Sequence, residues 1–225
     1  MKQPVGESCE VSVGLIHFFQ VVVDMLFPEE IETKRLHLRR LCYETVDIFE
    51  YYKLCSHHES GIEAVTEFLP WDPHKTVKET ADYLSELESK WEDGTRAEYV
   101  IRPQEGEPGA GEIVGSGGLI IDWETRTGKP AIWLRKQFWG NGYSRERADA
   151  MLDLAFERLD LDLVAVPVQD GNDRSRAAVE KYISTHGGQY DGVIRNSTVR
   201  PDGTIIDHHR YTVTQNQYRE STLDT

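Results

Sequence analysis

The alternation of apolar and polar residues predicts strands and helices in turn from residue 35 onward. Residues 35–41 alternate apolar and polar side chains, which predicts a half-buried strand. Apolar residues recur at helical spacing over 45–55, and a capping box formed by Thr76 and Glu79 opens a longer helix. Residues 98–102 form the next predicted strand. The first half of the chain therefore consists of a strand, two helices and a second strand.

The second half of the chain continues this alternation, with turn signals between the elements. Two strands, over 112–123 and 131–136, are predicted to form a hairpin around a turn at 124–129. The clearest helix follows, because apolar residues recur at helical spacing from Ala148 to Leu159. The remaining predicted elements are a buried strand over 161–168, a helix over 172–186 and strands over 189–195 and 204–214.

This order of elements predicts an α/β fold with one mixed sheet in one domain. The length of 225 residues is compatible with a single large domain. We assign the domain to residues 28–217 and a short tail to 218–225. Residues 1–27 differ from the rest, and we treat them as an appendage, either an interface helix or a misread start of translation.

The charge balance is strongly acidic, with 39 Asp and Glu against 25 Lys and Arg and a net charge of −14. Such a surface repels polyphosphates, which disfavours a general nucleic-acid binder. Of the positive residues, 9 are Lys and 16 are Arg. A large acidic excess with few lysines is typical of proteins that are soluble in concentrated salt. We expect an acidic surface of this halophilic kind, with an ordinary acidic surface as the alternative.

The chain shows no sign of export or of a membrane span. Its longest apolar stretch, residues 14–27, is interrupted by His17, Gln20 and Asp24, and it lacks the pattern of a signal peptide. The three cysteines form no CxxC pair and leave an odd thiol, so reduced thiols are expected. We expect a cytoplasmic protein without a nucleic-acid or membrane partner, either a monomer or a homodimer.

One segment is rich in chemical signals: residues 136–144, Lys-Gln-Phe-Trp-Gly-Asn-Gly-Tyr-Ser, lie between an apolar strand and the clearest helix. Gly140 and Gly142 permit positive φ angles and close approach of a phosphate. The N-terminus of the helix adds a partial positive charge. The segment therefore predicts a pyrophosphate cradle, although a plain strand-to-helix turn has the same composition. It lacks the Lys-Ser/Thr pair of a Walker A loop and the third glycine of a dinucleotide fingerprint.

The spacing Gln137-x-x-Gly140-x-Gly142 resembles the pyrophosphate loop of the GNAT superfamily of acetyl-CoA-dependent N-acetyltransferases. The surrounding residues 133–143 are similar to the variant of this loop in ribosomal-protein N-terminal acetyltransferases of the RimJ/RimL type. The resemblance implies an acyltransferase that uses acetyl-CoA as co-substrate. We expect no metal ion.

A second signature of the same group is matched downstream, where Asn172-x-x-Ser175 is followed by Glu-Lys and by a glycine pair at 187–188. The resemblance covers residues 31–215. It implies a GNAT-like single domain, in which a mixed, mostly antiparallel central sheet is flanked by helices and two strands splay apart at the cofactor site.

The resemblance also implies a role for the matched residues. Residues 131–136 would receive the pantetheine arm through backbone hydrogen bonds, with the Leu134 N–H as the donor to the acetyl oxygen. Asn172 would hydrogen-bond the pantetheine amide, and Ser175 would lie near the sulfur. The residues expected to bind the cofactor are Leu134, Lys136, Gln137, Trp139, Gly140, Asn141, Gly142, Tyr143, Ser144, Asn172 and Ser175.

The acid that protonates the leaving thiolate is not fixed by the resemblance. Many members of the superfamily carry a tyrosine for this purpose where Val179 stands here. Ser175 is the first substitute and Tyr182 the second. Ser175 is equally typical of the first turn of a helix, where a hydroxyl satisfies backbone donors.

The base is open as well, because Lys129 stands where members of the RimJ/RimL type often place a glutamate. Asp122 and Glu124, at the end of the preceding strand, are the first candidates, and Glu98 is a third. The alternative for Asp122 and Glu124 is a solvated hairpin rim.

These features favour transfer of acetyl from acetyl-CoA to the α-amine of a protein N-terminus, with a ribosomal protein as one candidate acceptor. The alternatives are a small-molecule amine acetyltransferase and a non-catalytic acyl-CoA-binding regulatory module. The acceptor would be selected by the loops at 56–75 and 196–203. Trp71 either lines that groove or anchors the core.

Overall fold

Eight strands form one sheet in the computed structural model, which describes residues 26–200 and 203–223. The strands are β1 (Glu30–Glu32), β2 (Leu36–Arg40), β3 (Arg96–Pro103), β4 (Gly115–Asp122), β5 (Thr127–Leu134), β6 (Leu163–Gln169), β7 (Gln189–Val199) and β8 (Ile205–Thr214). Their order across the sheet is β1-β2-β3-β4-β5-β6-β8-β7. Neighbouring strands are antiparallel except β5 and β6, which are parallel. The predicted mixed, mostly antiparallel sheet is confirmed.

Helices flank the sheet. Those in the described part of the chain are α1 (Ile48–Cys55), α2 (Ile62–Thr66), α3 (Val77–Glu92), α4 (Tyr143–Asp153), α5 (Asp173–Thr185) and α6 (Gln215–Leu223). A 3-10 turn at Lys136–Phe138 precedes α4, and a π-helical turn at Leu154–Arg158 continues it. None of these helices is long and apolar enough to cross a bilayer.

The sheet separates two apolar cores, because successive residues of a strand face opposite sides. On β3, Val100 faces α1 and α3, whereas Tyr99 and Ile101 face α4. The first core includes Leu41, Val46, Tyr51, Leu84, Val100 and Trp133. The second core includes Tyr99, Leu119, Met151, Phe156, Val164, Tyr182 and Val213. Alternate residues of one strand therefore contribute to different cores, one on each side of the sheet.

Polar caps fix where α1 and α3 begin. The Asp47 carboxylate accepts the N–H groups of residues 49 and 50, both at 2.9 Å, and starts α1. The Thr76 hydroxyl accepts the N–H of Glu79 at 3.3 Å and starts α3, as the capping box predicts. The reciprocal half of the box differs, because the Glu79 carboxylate accepts the N–H of Lys75 at 2.8 Å rather than that of Thr76.

Several element boundaries differ from those predicted. β5 begins at Thr127, so the hairpin turn covers 123–126 instead of 124–129. Residues 127–130 read as a turn because they include glycine and proline, yet they pair with β4 throughout. α4 begins at Tyr143, ahead of its apolar stripe. The short β1 and the C-terminal α6 were not predicted.

The limits of the domain involve residues at both ends of the described chain. Phe27, assigned to the appendage, is fully buried in the second core. The expected boundary at 217/218 falls inside α6, where the Tyr218 side chain is buried. Residues 1–25, which make up nearly all of the predicted appendage, lie outside the described residues.

Candidate active site

The sheet divides between β5 and β6, and this division forms the centre of the candidate site. The two strands are paired only at Thr127–Leu163 and Gly128–Val164. Beyond these positions β5 pairs with β4 alone, and β6 pairs with β8 alone. Because the strands are parallel, they separate toward their C-terminal ends and leave a cleft edged by backbone polar groups.

Two backbone donors of β5 point into this cleft. The hydrogen bond from the Arg135 N–H to the Val114 carbonyl, 2.8 Å long, fixes which residues of β5 bond to β4. In an antiparallel ladder the alternate residues turn their N–H and C=O groups away from that partner. The N–H groups of Ile132 and Leu134 therefore face the cleft. Leu134 was expected by name from the resemblance, and Ile132 belongs to the stretch 131–136 that was expected to bind the pantetheine arm.

Two prolines lie on the edges of the cleft. Pro130 on β5 is opposite Leu119, and Pro167 on β6 is opposite Arg210. The alternation of each ladder turns the ring nitrogens of both prolines toward the cleft. Because proline has no N–H to donate, β5 and β6 cannot form a continuous ladder at these positions. The prolines therefore help to keep the cleft open.

The loop between β5 and α4 offers a run of free N–H groups. Gly140 and Gly142 have φ angles of 88° and 82°, in the left-handed region that favours glycine. The N–H groups of residues 140–144 have no acceptor in the described part of the chain. A Cβ on Gly140 would meet no atom within 4 Å, so the loop faces open space. Consecutive donors at a helix N-terminus bind anions, and this geometry fits the pyrophosphate of acetyl-CoA.

Side chains that precede β2 hold this cradle in place. Arg35 donates from Nη1 to the carbonyl of Asn141 at 2.9 Å and from Nε to the Glu146 carboxylate at 2.6 Å. Glu146 also accepts the Thr33 hydroxyl and the Arg35 N–H, both at 2.6 Å. Burial opposes the charge on Glu146, but these hydrogen bonds prevail and lower the pKa of its carboxyl. These bonds tie the loop to the residues that precede β2 and to the first turn of α4.

The other expected residues of the loop differ in exposure. Lys136 and Gln137 are exposed in the 3-10 turn. Tyr143 is buried. The Trp139 indole N–H donates to the Leu134 carbonyl at 2.8 Å, and the Arg174 guanidinium lies 3.3 Å from the centroid of the Trp139 ring. Trp139 and Arg174 thus connect the cradle to the start of α5.

Asn172 and Ser175 lie together at the N-terminus of α5. The Asn172 side-chain oxygen accepts the Ser175 N–H at 3.1 Å and caps the helix. The amide NH₂ of Asn172 remains available as a donor, which suits the expected contact with a pantetheine carbonyl. The Ser175 hydroxyl makes no hydrogen bond with any described residue.

On the side of α1–α3, five rings form an aromatic cluster against β5. The cluster consists of Tyr51, Trp71, His74, Tyr83 and Trp133. The Trp71 ring lies 5.9 Å from Trp133 and 5.7 Å from His74, centroid to centroid. Trp71 is half-buried in this contact. The cluster therefore covers the face of β5 opposite α4, where an acceptor could approach.

His74 is the titratable base of the cluster. Its Nδ1 forms a hydrogen bond of 2.8 Å with the hydroxyl of Thr80, and its backbone N–H donates to the Cys55 carbonyl at 2.8 Å. Partial burial lowers the pKa of the imidazole below its ordinary value. At neutral pH the ring is therefore uncharged and able to accept a proton.

A buried carboxylate lies beside the cluster. Glu98 is 3% exposed, and its Oε2 accepts the Arg96 guanidinium at 2.9 and 3.0 Å. Its Oε1 accepts the Ser116 hydroxyl at 3.0 Å, and Ser116 in turn accepts the Tyr51 hydroxyl at 3.3 Å. Glu98 is thus already paired with a cation, and a chain of hydroxyl groups connects it to the aromatic cluster.

Asp122 and Glu124 are not brought to the cleft. Asp122 lies opposite Thr127, at the end where β5 and β6 are still joined. Strand geometry places this position about 16 Å along β5 from Ile132. The Asp122 carboxylate accepts the N–H groups of residues 124 and 125, both at 3.1 Å, and these bonds lower its pKa. Glu124 is exposed in the same turn, so both residues serve the hairpin rim.

The two loops expected to select the acceptor meet above the C-terminal end of β6. Arg200 donates to the carbonyl of Glu67 and, at 3.0 Å, to the side chain of Gln169. The Phe68 ring lies 3.9 Å from where a Cβ of Gly171 would stand. These contacts narrow the end of the cleft that is farthest from the joined strands.

Two residues of interest, His74 and Arg147, were not predicted from the sequence. His74 follows Trp71 in the acceptor loop and was overlooked because it lacks a neighbouring ligand. Arg147 lies within the predicted helix, but nothing in its sequence neighbourhood shows that it is buried. No three His, Cys, Asp or Glu residues of 26–200 and 203–223 are grouped to hold a metal ion.

A parallel pair of strands that opens onto a pyrophosphate cradle defines an acyltransferase that uses an acyl-CoA. The family model described as acetyltransferase (GNAT) domain matches residues 35–182. The chain belongs to the GNAT acetyltransferase family, and it is an acetyl-CoA-dependent N-acetyltransferase.

Individual relatives agree with this assignment. The chain is 23% identical over 191 residues to the "Uncharacterized N-acetyltransferase p20" of Bacillus licheniformis, which covers 84% of this chain and 98% of that protein. The structure of RimL, the ribosomal L7/L12 α-N-protein acetyltransferase, matches with a TM-score of 0.67 and 18% identity over 83% of this chain and 94% of RimL. The structure of the spermidine N-acetyltransferase of Vibrio cholerae, in complex with CoA and spermine, matches with a TM-score of 0.64 and 18% identity. The match covers 83% of this chain and 99% of that enzyme. The similar structures thus include enzymes for both protein and small-molecule acceptors.

Proposed function

We propose that this enzyme acetylates the α-amine of a protein N-terminus. One observation carries the proposal: the acceptor side of β5 is lined by aromatic rings around a neutral imidazole, and its buried carboxylate, Glu98, is already paired with Arg96. This environment offers a weak base and apolar surface. Because Glu98 is already paired with Arg96, this carboxylate is not free to bind a polycationic acceptor.

The strength of the base decides between kinds of amine. An α-amine has a pKa of about 7.7–8.0, so its deprotonation at pH 7 costs about 1 kcal/mol. A lysine-like amine near 10.4 costs about 4–5 kcal/mol by the same relation. In the tautomer in which Nδ1–H donates to the Thr80 hydroxyl, the Nε2 of His74 is a free acceptor, and this weak base is matched to the first case. We assign His74 the role of base, directly or through one water molecule.

Acetyl-CoA supplies the activated acetyl group, and the chain's own residues hold and polarise it. Residues 140–144 would bind the pyrophosphate. The N–H groups of Ile132 and Leu134 would bind the pantetheine arm and stabilise negative charge on the acetyl oxygen. Asn172 would donate to a pantetheine carbonyl from the NH₂ group that its capping role leaves free.

A small amine is the second candidate acceptor. The contacts of Arg200 with Glu67 and of Phe68 with Gly171 narrow one end of the cleft, and this favours a compact acceptor. The spermidine enzyme among the similar structures carries the same fold. A peptide with a free N-terminus satisfies the same restriction only if its first two or three residues enter the cleft.

The test is an acetylation assay that compares matched acceptors and measures release of the CoA thiol. Peptides with a free α-amine and no lysine are compared with the same peptides blocked at the N-terminus and carrying one lysine, and with spermidine. We expect turnover of the first group, with kcat/KM rising to a plateau above the pKa of the α-amine. Faster turnover of spermidine or of the lysine peptides would overturn the proposal in favour of the second candidate.

We also propose a cytoplasmic location. Cys42 and Cys55 are buried free thiols, which supports a reducing compartment. Separation of lysed cells into cytosol, membrane and exported protein, with an antibody to the chain, tests this directly. Recovery in the exported fraction would contradict it.

A further inference from the structure

Arg174 and Trp139 meet across the open end of the cleft. Arg174 lies in the first turn of α5, which follows β6, whereas Trp139 follows β5. The Arg174 guanidinium lies 3.3 Å from the centroid of the Trp139 ring. The indole N–H donates to the Leu134 carbonyl at 2.8 Å, and this carbonyl faces the cleft as the N–H of the same residue does. The contact therefore connects the two sides of the cleft where the strands have separated.

The guanidinium of Arg174 has no acidic partner. In the described part of the chain it forms no hydrogen bond and no ion pair, and its contact is with the Trp139 ring. Desolvation lowers the pKa of the group, and no neighbouring carboxylate raises it. A guanidinium that stacks on an aromatic ring keeps its N–H donors free, because they point outward in the plane of the group. Arg174 therefore offers a positive charge with free donors.

Other described cations near the loop are already bound or lie in other directions. Arg35 and Arg135 are each paired with a carboxylate, at 2.6 and 2.8 Å. Lys136 packs its aliphatic chain against the start of α2. Arg145 donates to a hydroxyl in the last turn of α5 at 3.4 Å, and this turn is about 16 Å along the helix from its first turn. Arg174 is therefore the better placed cation for an anion in the cleft.

The position of Arg174 corresponds to one part of the co-substrate. The pantetheine arm would lie along β5, where Ile132 and Leu134 present N–H groups, and the pyrophosphate would lie on residues 140–144. Trp139 stands between these two stretches and is tied to Leu134. The guanidinium on its ring therefore lies beside the point where the arm joins its first phosphate.

We propose that Arg174 binds the phosphate that joins the pantetheine arm and completes the anion site from the side of α5. Backbone N–H groups bind this phosphate from one side of the cleft, and the guanidinium binds it from the other. Trp139 is a positioning residue, because its ring supports the guanidinium. A cation is needed here because the net charge of −14 repels a polyanionic co-substrate. The role does not depend on which amine accepts the acetyl group.

Calorimetric titration of a ligand series tests this role without turnover. The series is pantetheine, phosphopantetheine, dephospho-CoA and CoA, which add in turn the first phosphate, the second phosphate with adenosine, and the ribose phosphate. The affinity of pantetheine is measured by its displacement of CoA. We expect Arg174→Met to weaken binding of the last three ligands by the same factor, about tenfold, and to leave pantetheine unchanged.

Two further variants serve as controls. Arg174→Lys should keep part of the affinity, because it retains the charge without the planar group. Arg39→Met removes an exposed arginine of β2, which two strands separate from β5, and should bind all four ligands as the wild type does. Because Arg174 is exposed, its variants should keep the melting temperature of the wild type.

The pattern across the series decides the outcome. A loss that appears first with dephospho-CoA or with CoA would assign Arg174 to the second phosphate or to the ribose phosphate and would overturn the proposal. An equal loss for pantetheine would indicate packing against the arm, and unchanged binding of all four would exclude a contact. The difference between wild type and Arg174→Met should also shrink as salt is added, because the group is open to solvent. A difference that does not depend on salt would contradict a charge interaction.

Trp139→Leu removes the supporting ring and tests the positioning role. In that background Arg174→Met should weaken the binding of phosphopantetheine by much less than in the wild type, because the two side chains act as a unit. The same loss in both backgrounds would show that Arg174 acts without the ring and would overturn the role of Trp139.

Discussion

Substitutions of Gly140 test the pyrophosphate cradle most directly. A side chain at this position meets no other atom, so its effect on the binding of acetyl-CoA depends mainly on its charge. The residue has a φ of 88°, and a Cβ would meet no atom within 4 Å. A side chain therefore strains the backbone by about 1–3 kcal/mol but causes no clash. Asn and Asp tolerate this conformation better than other residues and have the same shape. The pair Gly140→Asp and Gly140→Asn thus differs in a single negative charge.

The size of the effect follows from the place of that charge. A carboxylate about 4 Å from a phosphate charge is repelled by about 4 kcal/mol at an effective dielectric constant of 20. This energy corresponds to a roughly thousandfold weaker Kd for acetyl-CoA in Gly140→Asp than in Gly140→Asn. Raising the salt concentration should narrow the difference, because the site is open to solvent.

Calorimetric titration of acetyl-CoA into both variants measures this difference. Melting temperatures of the two proteins should agree, since the strain is common to both. Equal dissociation constants for the Asp and Asn variants would refute the cradle, and with it the assignment of residues 140–144 to the pyrophosphate. This holds also where both variants bind acetyl-CoA more weakly than the wild type by the same factor.

Three further predictions concern stability and pH. Asn172→Ala removes the cap of α5 and should cost about 1 kcal/mol, a fall in melting temperature of about 2–4 °C, whereas Asn172→Asp should restore the stability. Both variants lack the amide NH₂ and should bind CoA more weakly than the wild type; wild-type affinity in both would contradict the pantetheine contact. Burial lowers the pKa of His74, so folding favours the neutral imidazole. This contribution to the free energy of unfolding is present above the pKa of about 6.5 in the unfolded chain, and it is lost as the pH falls through the pKa in the folded protein. In His74→Gln, both the free energy of unfolding and kcat/KM should depend less steeply on pH on the acid side of the profile. If kcat/KM of the variant falls with decreasing pH as it does in the wild type, His74 is excluded as the base. If the charge of −14 reflects adaptation to salt, the melting temperature should rise with KCl into the molar range, and a flat or falling curve would exclude that reading.

The cradle could be predicted from sequence because its chemistry is local. Two glycines at a strand-to-helix junction specify the φ angles, the free N–H groups and the helix terminus within nine residues. The alternation of strands and helices is local in the same sense. The mixed sheet and most elements were therefore predicted correctly, with errors of a few residues at the ends.

The catalytic candidates depend on contacts across the sheet, which a linear pattern does not contain. Asp122 and Glu124 are close to Lys129 in sequence, but the ladder carries them to the joined end of β5 and β6. His74 is connected to β5 through Trp71, whose ring contacts both His74 and Trp133. From the sequence, Arg147 is expected on the polar face of α4, but in the structure it is buried.

Several places where the chain departs from local rules lie around one cleft. Pro130 and Pro167 occupy strands, and Gly140 and Gly142 open a helix in left-handed conformations. The prolines remove donors from the strand ladders, and the left-handed positions favour glycine. Departures of this kind persist where a ligand or a reaction requires them. Here the prolines keep two strand edges unpaired and the glycines keep N–H donors free beside the same opening, so the cleft can be located by these residues as well as by its motif.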